Sequence, residues 1–287
     1  MRRKRRRTTH EQGESSQMTD RETEQVSAES ALYVFAVCRL PDPTAFAGLP
    51  GVAAGEALRR LRFGELTAIV QTVRAADFTD EAWQARMADR GELERYARAH
   101  HDVVSAAAAS CPTVPLPMAT LYHGEERAQQ ALLAETERFL AALRRTADHS
   151  EWGVKVYTAA PAVSVPARTR PATSPGSSRP TPGAGLAYLE RKRGAQAQRE
   201  RRHEDSLRLA ETVDAAFQGL AAAGRRLRLH VPETTGTSHV QVLNATYLVA
   251  EHRAAELAPL TRALQESTGA RIDVSGPWVP YSFVGEV

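Results

Sequence analysis

The chain has 287 residues, 42% hydrophobic and 25% charged, with a net charge of +3, which leaves room for two domains of ordinary size, each with its own core. No stretch approaches the twenty apolar residues of a membrane span and the N-terminus lacks the apolar run of a secretion signal, so the sequence predicts a soluble, cytoplasmic protein. The two cysteines, Cys38 in an apolar run and Cys111 before Pro112, have no CxxC and no neighbouring ligands, which argues against a disulfide scaffold or structural zinc and for two core or semi-buried thiols.

The basic character sits at the start. Residues 1–17 carry six basic side chains (Arg2, Arg3, Lys4, Arg5, Arg6, Arg7) against Glu11 and Glu14, net +4, so the rest of the chain sums to −1. Without apolar periodicity, residues 1–30 read as a disordered basic leader. A nucleic-acid or anionic-membrane arm is the sharper reading of such a run. Met18 offers an internal start that would remove it.

A first domain is predicted over residues 31–160. Ala31–Cys38 is a continuous apolar run of strand length, to be buried on both faces. Leu40-Pro41-Asp42-Pro43 and Gly48-Leu49-Pro50-Gly51 punctuate a loop. Leu58–Phe63 and Leu66–Val73 read as strands joined by a Gly64-Glu65 turn. A helix follows from Asp80, its N-cap, to Ala109, with Trp83, Met87, Leu93, Tyr96, His100, Val103 and Ala107 at helical spacing. Thr113–Tyr122 is a strand demoted to an edge by Pro115 and Pro117. A second helix covers Gly124–Arg145, and Glu151–Tyr157 alternates as a strand with Trp152, Val154 and Val156 on one face. The order β-β-β-α-β-α-β predicts an α+β domain, a modified ferredoxin-like sheet with its helices on one face.

Six prolines among Ser, Thr, Arg and Gly in residues 158–184 mark a linker over 161–184. Residues 185–287 predict a smaller α+β domain. Its long helix, Leu186–Leu220, is charged or small over Glu190–Asp205, which must project into solvent or onto a partner. Leu207, Ala210, Val213, Phe217 and Leu220 form a stripe that must cover a sheet. Strands are expected at Leu227–Val231 and Val240–Ala250, a helix at Arg253–Ser267 that starts or kinks near Pro259, and a last strand at Arg271–Ser275. The chain closes on Gly276-Pro277-Trp278-Val279-Pro280-Tyr281-Ser282-Phe283. Its prolines exclude a helix or central strand and its three rings call for burial, so the tail should run extended, pinned to the body, with Trp278 in the core and a cost of about 3–5 kcal/mol for Trp278→Ala.

Motifs of catalysis are lacking: no GxxxxGK[ST], no GxGxxG after a strand, no GxSxG and no HExxH, so no residue is assigned a catalytic, cofactor-binding or metal-binding role. His100 and His101 are adjacent, so on a helix their rings diverge by about 100° and cannot share a metal; His100, on the apolar stripe, reads as a core histidine held by a hydrogen bond. His203-Glu204-Asp205 reads as a solvated face. An RNA-binding module of ferredoxin-like plan is the alternative function, but it needs paired aromatics on adjacent central strands, and Leu66–Val73 has none. Glu190, Glu200, Glu204 and Asp205 dilute the basic stretch Arg191–Arg202.

Several motifs in order resemble the gas vesicle protein GvpL/GvpF family over about residues 31–287. They are the closing Gly-Pro-Trp-Val-Pro-Tyr-Ser-Phe, Glu151-Trp152-Gly153-Val154-Lys155-Val156-Tyr157, Asn244-Ala245-Thr246-Tyr247-Leu248-Val249, and the His100 segment leading to Pro115-Leu116. There the family's usual Pro-Leu-Arg-Phe-Gly-Thr stands as Pro115-Leu116-Pro117-Met118-Ala119-Thr120, with arginine, ring and glycine replaced. The resemblance implies a non-enzymatic gas vesicle component of two α+β domains, acting in shell assembly by binding the small hydrophobic shell protein GvpA and other gas vesicle proteins, with no small-molecule substrate, cofactor or membrane. The proline-broken edge Thr113–Tyr122 is the expected place for the shell subunit, held by strand addition or apolar contact.

Overall fold

The computed structural model describes residues 30–42, 44–159, 184–229 and 239–285. But for Ser30 and Ala184, the expected leader and linker lie outside the described residues. The chain divides into two compact units, Met1–His149 with Val279–Val287, and Ser150–Trp278. No helix among the described residues is long and apolar enough to cross a membrane.

The first unit has one antiparallel sheet of β1 (Ser30–Cys38), β2 (Arg59–Phe63), β3 (Leu66–Arg74), β4 (Thr113–Pro115) and β5 (Leu121–Tyr122), in the order β2-β3-β1-β4 with β5 also on β1. Every residue of β1 from Ala31 to Cys38 is buried. Its side chains go to two different cores. Leu32, Val34 and Val37 face α3 (Glu125–Ala134) and α4 (Thr136–Thr146), meeting Leu132, Phe139 and Leu143. Tyr33, Phe35, Ala36 and Cys38 face α2 (Arg90–Ala108), meeting Tyr96, Val103 and Ala107. A register shift against β3 between Val34 and Ala36 puts Phe35 and Ala36 on the same side, as a bulge does. The helices therefore cover both faces rather than the one expected, because a strand apolar on both sides cannot leave either in water.

The predicted helix Asp80–Ala109 is two, α1 (Asp80–Ala88) and α2, because the Asp89 carboxylate accepts from the backbone N–H groups of Gly91 and Glu92 at 2.8 and 3.1 Å and caps a new helix. Thr79, not Asp80, caps α1, its hydroxyl accepting from Ala82 N–H at 3.3 Å. The second predicted helix also divides, at Glu135 between α3 and α4. Of the Thr113–Tyr122 edge, the first three residues are closed off, while Pro117 and Met118 are exposed. Thr113, Val114 and Pro115 are buried, β4 packs beside α2 and α4, and Leu116 N–H donates to the Phe35 carbonyl at 2.9 Å.

On the α2 face, the segment between β1 and β2 has no helix, so its backbone must find other partners. Gln71, wholly buried on β3, provides them. Its amide nitrogen donates to the carbonyls of Pro50, Ala53 and Glu56 at 2.9, 2.9 and 2.7 Å, and its oxygen accepts from Val52 and Ala53 N–H at 2.8 and 3.1 Å. Gly51 is required twice over: its φ is +60°, and a Cβ there would fall 2.4 Å from the Gln71 side-chain oxygen.

The second unit runs β6 (His149–Ala159), α5 (Ala184–Leu220), β7 (Ala223–Arg226), β8 (His239–Ala250), α6 (Leu257–Thr268) and β9 (Arg271–Trp278), with sheet order β7-β8-β6-β9. The strand expected to close the first domain thus lies in this second sheet, paired antiparallel with β9 from Glu151 to Tyr157. Val154 and Val156 form its core with Leu243, Tyr247, Val213 and Phe217. The stripe on α5 covers the sheet as expected from Ala210 onward, while Leu207 is exposed and residues 192–205 are exposed throughout. Pro259 stands in the first turn of α6, where no intrahelical N–H is needed.

Two strand expectations change. The one placed at Leu227–Val231 lies earlier, at β7, with its last residues outside the described ones, and Leu227 and Leu229 are exposed. Trp278 is 47% exposed at the end of the edge strand β9, so the core-sized cost expected for Trp278→Ala does not apply. The ring that packs on the core is Trp152. Gly276 makes room for it, since a Cβ there would come within 2.9 Å of the Trp152 ring.

Replacing Gln71 by Leu leaves five backbone groups without partners. It is expected to destabilise the protein by about 3 kcal/mol in chemical denaturation; a loss under about 1 kcal/mol would mean that the loop holds itself.

Candidate functional site

No group of three or more His, Cys, Asp or Glu side chains able to hold a metal occurs among the described residues. Among the clefts formed by the described residues, two have room for a ligand. One, of about 560 Å³, is lined by Arg202, His203, Asp205, Arg208, Thr212 and Val240. The other, of about 500 Å³, lies between the Pro50–Ala54 segment and α2, beside Glu94, Arg95, Arg98 and Asp102. The histidine, cysteines and tyrosines with displaced proton affinities, among them His100, Cys111, Tyr33 and Tyr247, line neither cleft. His203 and Asp205 sit together on exposed α5, with Asp205 paired to Arg208.

The seat of the C-terminal segment is built around His100, which lies on the buried stripe of α2. Leu116 offers a carbonyl 3.1 Å from Nε2, so that nitrogen carries the proton; Nδ1 accepts from the Tyr33 hydroxyl at 2.9 Å, and the Tyr33 oxygen accepts from Ala119 N–H at 3.1 Å. Burial lowers the His100 pKa to about 4 and pushes Tyr33 up to about 12. The imidazole is neutral and fully bonded, as expected of a core histidine. Val279 packs against the same core, and the Tyr281 ring lies 6.4 Å from His100 and 6.5 Å from His101, its own pKa raised by burial. Arg145 on α4 donates to the Phe283 carbonyl, Phe283 is buried and Val284 joins the other core. The tail is therefore pinned, through Tyr281 and Phe283 rather than Trp278.

The second unit presents an edge instead. Asp214 on α5 is buried and accepts from the Tyr247 hydroxyl at 2.5 Å and from Arg226 Nε at 2.8 Å, which ties β7 and β8 to the helix. Burial, then the bond to Asp214, raises the Tyr247 pKa. Beyond β7 the chain continues along β8: Leu227 N–H donates to the Asn244 carbonyl at 2.7 Å, and the Asn244 side chain donates to the Arg228 carbonyl at 2.7 Å. On this held edge Leu227 and Leu229 are 38% and 49% exposed, and Val240 on β8 is 44% exposed. Sequence reasoning placed a strand at Leu227–Val231 without asking which side chains it would leave exposed; the arginine pair ahead of it, Arg225-Arg226 at the edge of the sheet, was the available signal.

Residues 31–285 match the sequence model of the family described as gas vesicle synthesis protein GvpL/GvpF. Gas vesicle protein L of Streptomyces sp. (strain CB03234) is 34% identical over 261 residues, covering 91% of this chain and 95% of that one. Among solved structures, gas vesicle protein GvpF from Anabaena sp. PCC7120 superposes with a TM-score of 0.60 at 15% identity, covering 90% of this chain and 97% of that one. GvpF from Microcystis aeruginosa gives a TM-score of 0.58 at 14% identity, covering 89% and 99%. At such identities these two speak for the α+β fold.

The histidine seat has a pH signature. An unfolded histidine protonates near 6.5, whereas in the fold His100 does so at about 4, so between these values the unfolded chain binds the extra proton. Its contribution is whole above about pH 6.5 and is lost as pH falls toward 4, by up to about 3 kcal/mol. Melting curves at pH 7 and 5 should show this loss, and His100→Gln, which keeps both hydrogen bonds, should flatten it. Ala119, with φ at +60°, holds a left-handed backbone that disfavours any Cβ, so Ala119→Gly is expected to raise stability by about 0.5 kcal/mol in the same assay.

Proposed function

The chain belongs to the gas vesicle synthesis protein GvpL/GvpF family, and from that membership we propose that it is a non-enzymatic accessory protein, cytoplasmic and vesicle-associated, that binds the hydrophobic shell protein GvpA during vesicle assembly. The family match over residues 31–285 carries this reading. A shell subunit that is apolar enough to face gas aggregates unless its surface is covered, and a protein that covers it needs exposed apolar contacts of its own.

The first sheet is a poor place for that contact. Its β4 edge is buried, and β2 carries Arg59, Arg60 and Arg62, with Arg59 paired to Glu125 at 2.7 Å and the Arg62 carbonyl taken by Gln129. Charge at an edge discourages strand addition. The Arg225–Leu229 edge of the second sheet carries arginines too, but whereas Leu61 and Phe63 of β2 are buried, Leu227 and Leu229 are exposed, as is Val240 on β8, so the proposal moves from the Thr113–Tyr122 edge to this one, as apolar contact rather than strand addition.

The order β-α-β-β-α-β in the second unit, with its first and third strands central, is the ferredoxin-like plan, and we read the first unit as the same plan with the Gln71-held loop in place of the first helix. RNA-recognition modules on that plan stack bases on an exposed sheet face. Here β1 is buried on both faces and Leu243–Val249 of β8 are buried, so the RNA alternative lacks its platform.

Co-expression with the shell protein followed by affinity capture tests the proposal: wild type should retain the shell protein, and Leu227→Ser with Leu229→Ser should lose most of it while the circular dichroism spectrum and melting temperature stay put. Failure of the wild type to capture the shell protein would sink the function. Unchanged capture by the folded double variant would remove the edge from it.

A further inference from the structure

The two cysteines, remote in sequence, come together in the first unit. Cys38 ends β1, is wholly buried, and has Thr113 as its register partner on β4. Cys111 lies half-buried in the turn between α2 and β4, its sulfur 3.9 Å from the Thr113 hydroxyl and 3.8 Å from the Ala107 carbonyl. Both side chains belong to the same apolar cluster. Thr113 thus bridges them: it is paired with one cysteine through the sheet and touches the other through its hydroxyl.

We propose that Cys38 and Cys111 are a reversible thiol pair, oxidised by a hydroperoxide to an intramolecular disulfide that fastens the end of β1 to the turn before β4. Cys111, the accessible member, attacks the distal oxygen of the peroxide; the O–O bond breaks, Cys111 becomes a sulfenic acid, and the peroxide leaves as alcohol or water. Cys38 then attacks that sulfur, the S–OH bond breaks, and hydroxide takes the Cys38 proton and departs as water. Two thiols lose two electrons in all and the peroxide gains two. The ionisation of the pair points the same way. The Cys38 thiol beside it lowers the Cys111 pKa to about 6, and that contact together with burial raises Cys38, which favours the half-buried Cys111 as the attacking thiolate.

The test is peptide mapping of the full-length protein. After hydrogen peroxide, free thiols should fall from two to none, with a peptide joining Cys38 to Cys111 that dithiothreitol separates. Cys38→Ser should stop at a Cys111 sulfenic acid that dimedone traps, and Cys111→Ser should leave Cys38 reduced. The proposal is overturned if both thiols of the wild type remain alkylatable, if Cys111 halts at the sulfenic acid with Cys38 present, or if only intermolecular disulfides form. The wild-type map decides the matter even should either variant fold poorly.

Discussion

One strand without a wet face sets the plan of the first unit. Because β1 is apolar on both sides, α2 must cover one face and α3 with α4 the other. The cover has a cost on the α2 side, where the loop from β1 to β2 is brought indoors with its backbone groups unpaired. Gln71 answers five of those groups from the neighbouring strand. The hydroxyl of Tyr33 on β1 is buried as well, so it needs His100, and His100 in turn needs the Leu116 carbonyl. The polar chain that starts on β1 therefore fixes the β4–β5 turn, and the same histidine receives Tyr281 from the far end of the sequence.

How much of this was legible depends on whether the signal was local. The first three strands and the long helix α5 were, since each is a run or a stripe complete in itself. Asp89-Arg90-Gly91-Glu92 is an N-cap signature inside a continuous helical pattern, and the pattern outweighed the cap. Nothing local to residues 149–159 says which sheet they join, because their partner β9 is more than a hundred residues away. The difference between Trp152 and Trp278 is of the same kind: both rings stand in specific motifs that call for burial, and the close approach over Gly276 belongs to Trp152 alone. Gln71 was the one readable clue left unused. A single amide inside a strand buried on both faces must have several partners, and the Pro- and Gly-rich loop was the nearest supply of backbone groups.

The units differ in what they leave exposed. In the first, β4 is buried and β2 is charged, while Leu40, Leu133 and Met118 are exposed large apolar side chains. The second keeps one face of its sheet against α5 and α6, while an α5 of 37 residues, about 55 Å long, is exposed over residues 192–205 and has buried side chains from Ala210 onward. A polar helix without a covered face is stable in water only with i,i+4 pairs or a partner. Among the described residues of its exposed stretch, Gln196 with Glu200 is such a pair. The exposed stretch of α5 and the exposed leucines of the β7 edge, more than any motif, are why the proposed partner contacts are placed on the second unit.

The chain path gives the pinning of the tail a further consequence. It leaves the first unit at His149 and rejoins it at Val279, so the second unit is an insertion. Insertions are tolerated when entry and exit lie close together, since the host then closes no long gap. Here they are neighbouring antiparallel strands, β6 and β9, paired from Glu151 with Trp278 to Tyr157 with Arg271. The glycines at this gate serve the closeness itself: a Cβ at Gly153 would come within 2.9 Å of the Ser275 hydroxyl, and one at Gly276 within 2.9 Å of the Glu151 carbonyl. The ring-rich tail is thus the returning piece of the host fold, which is why its burial falls to Tyr281 and Phe283, past the gate, while Trp278 at the gate stays half in water.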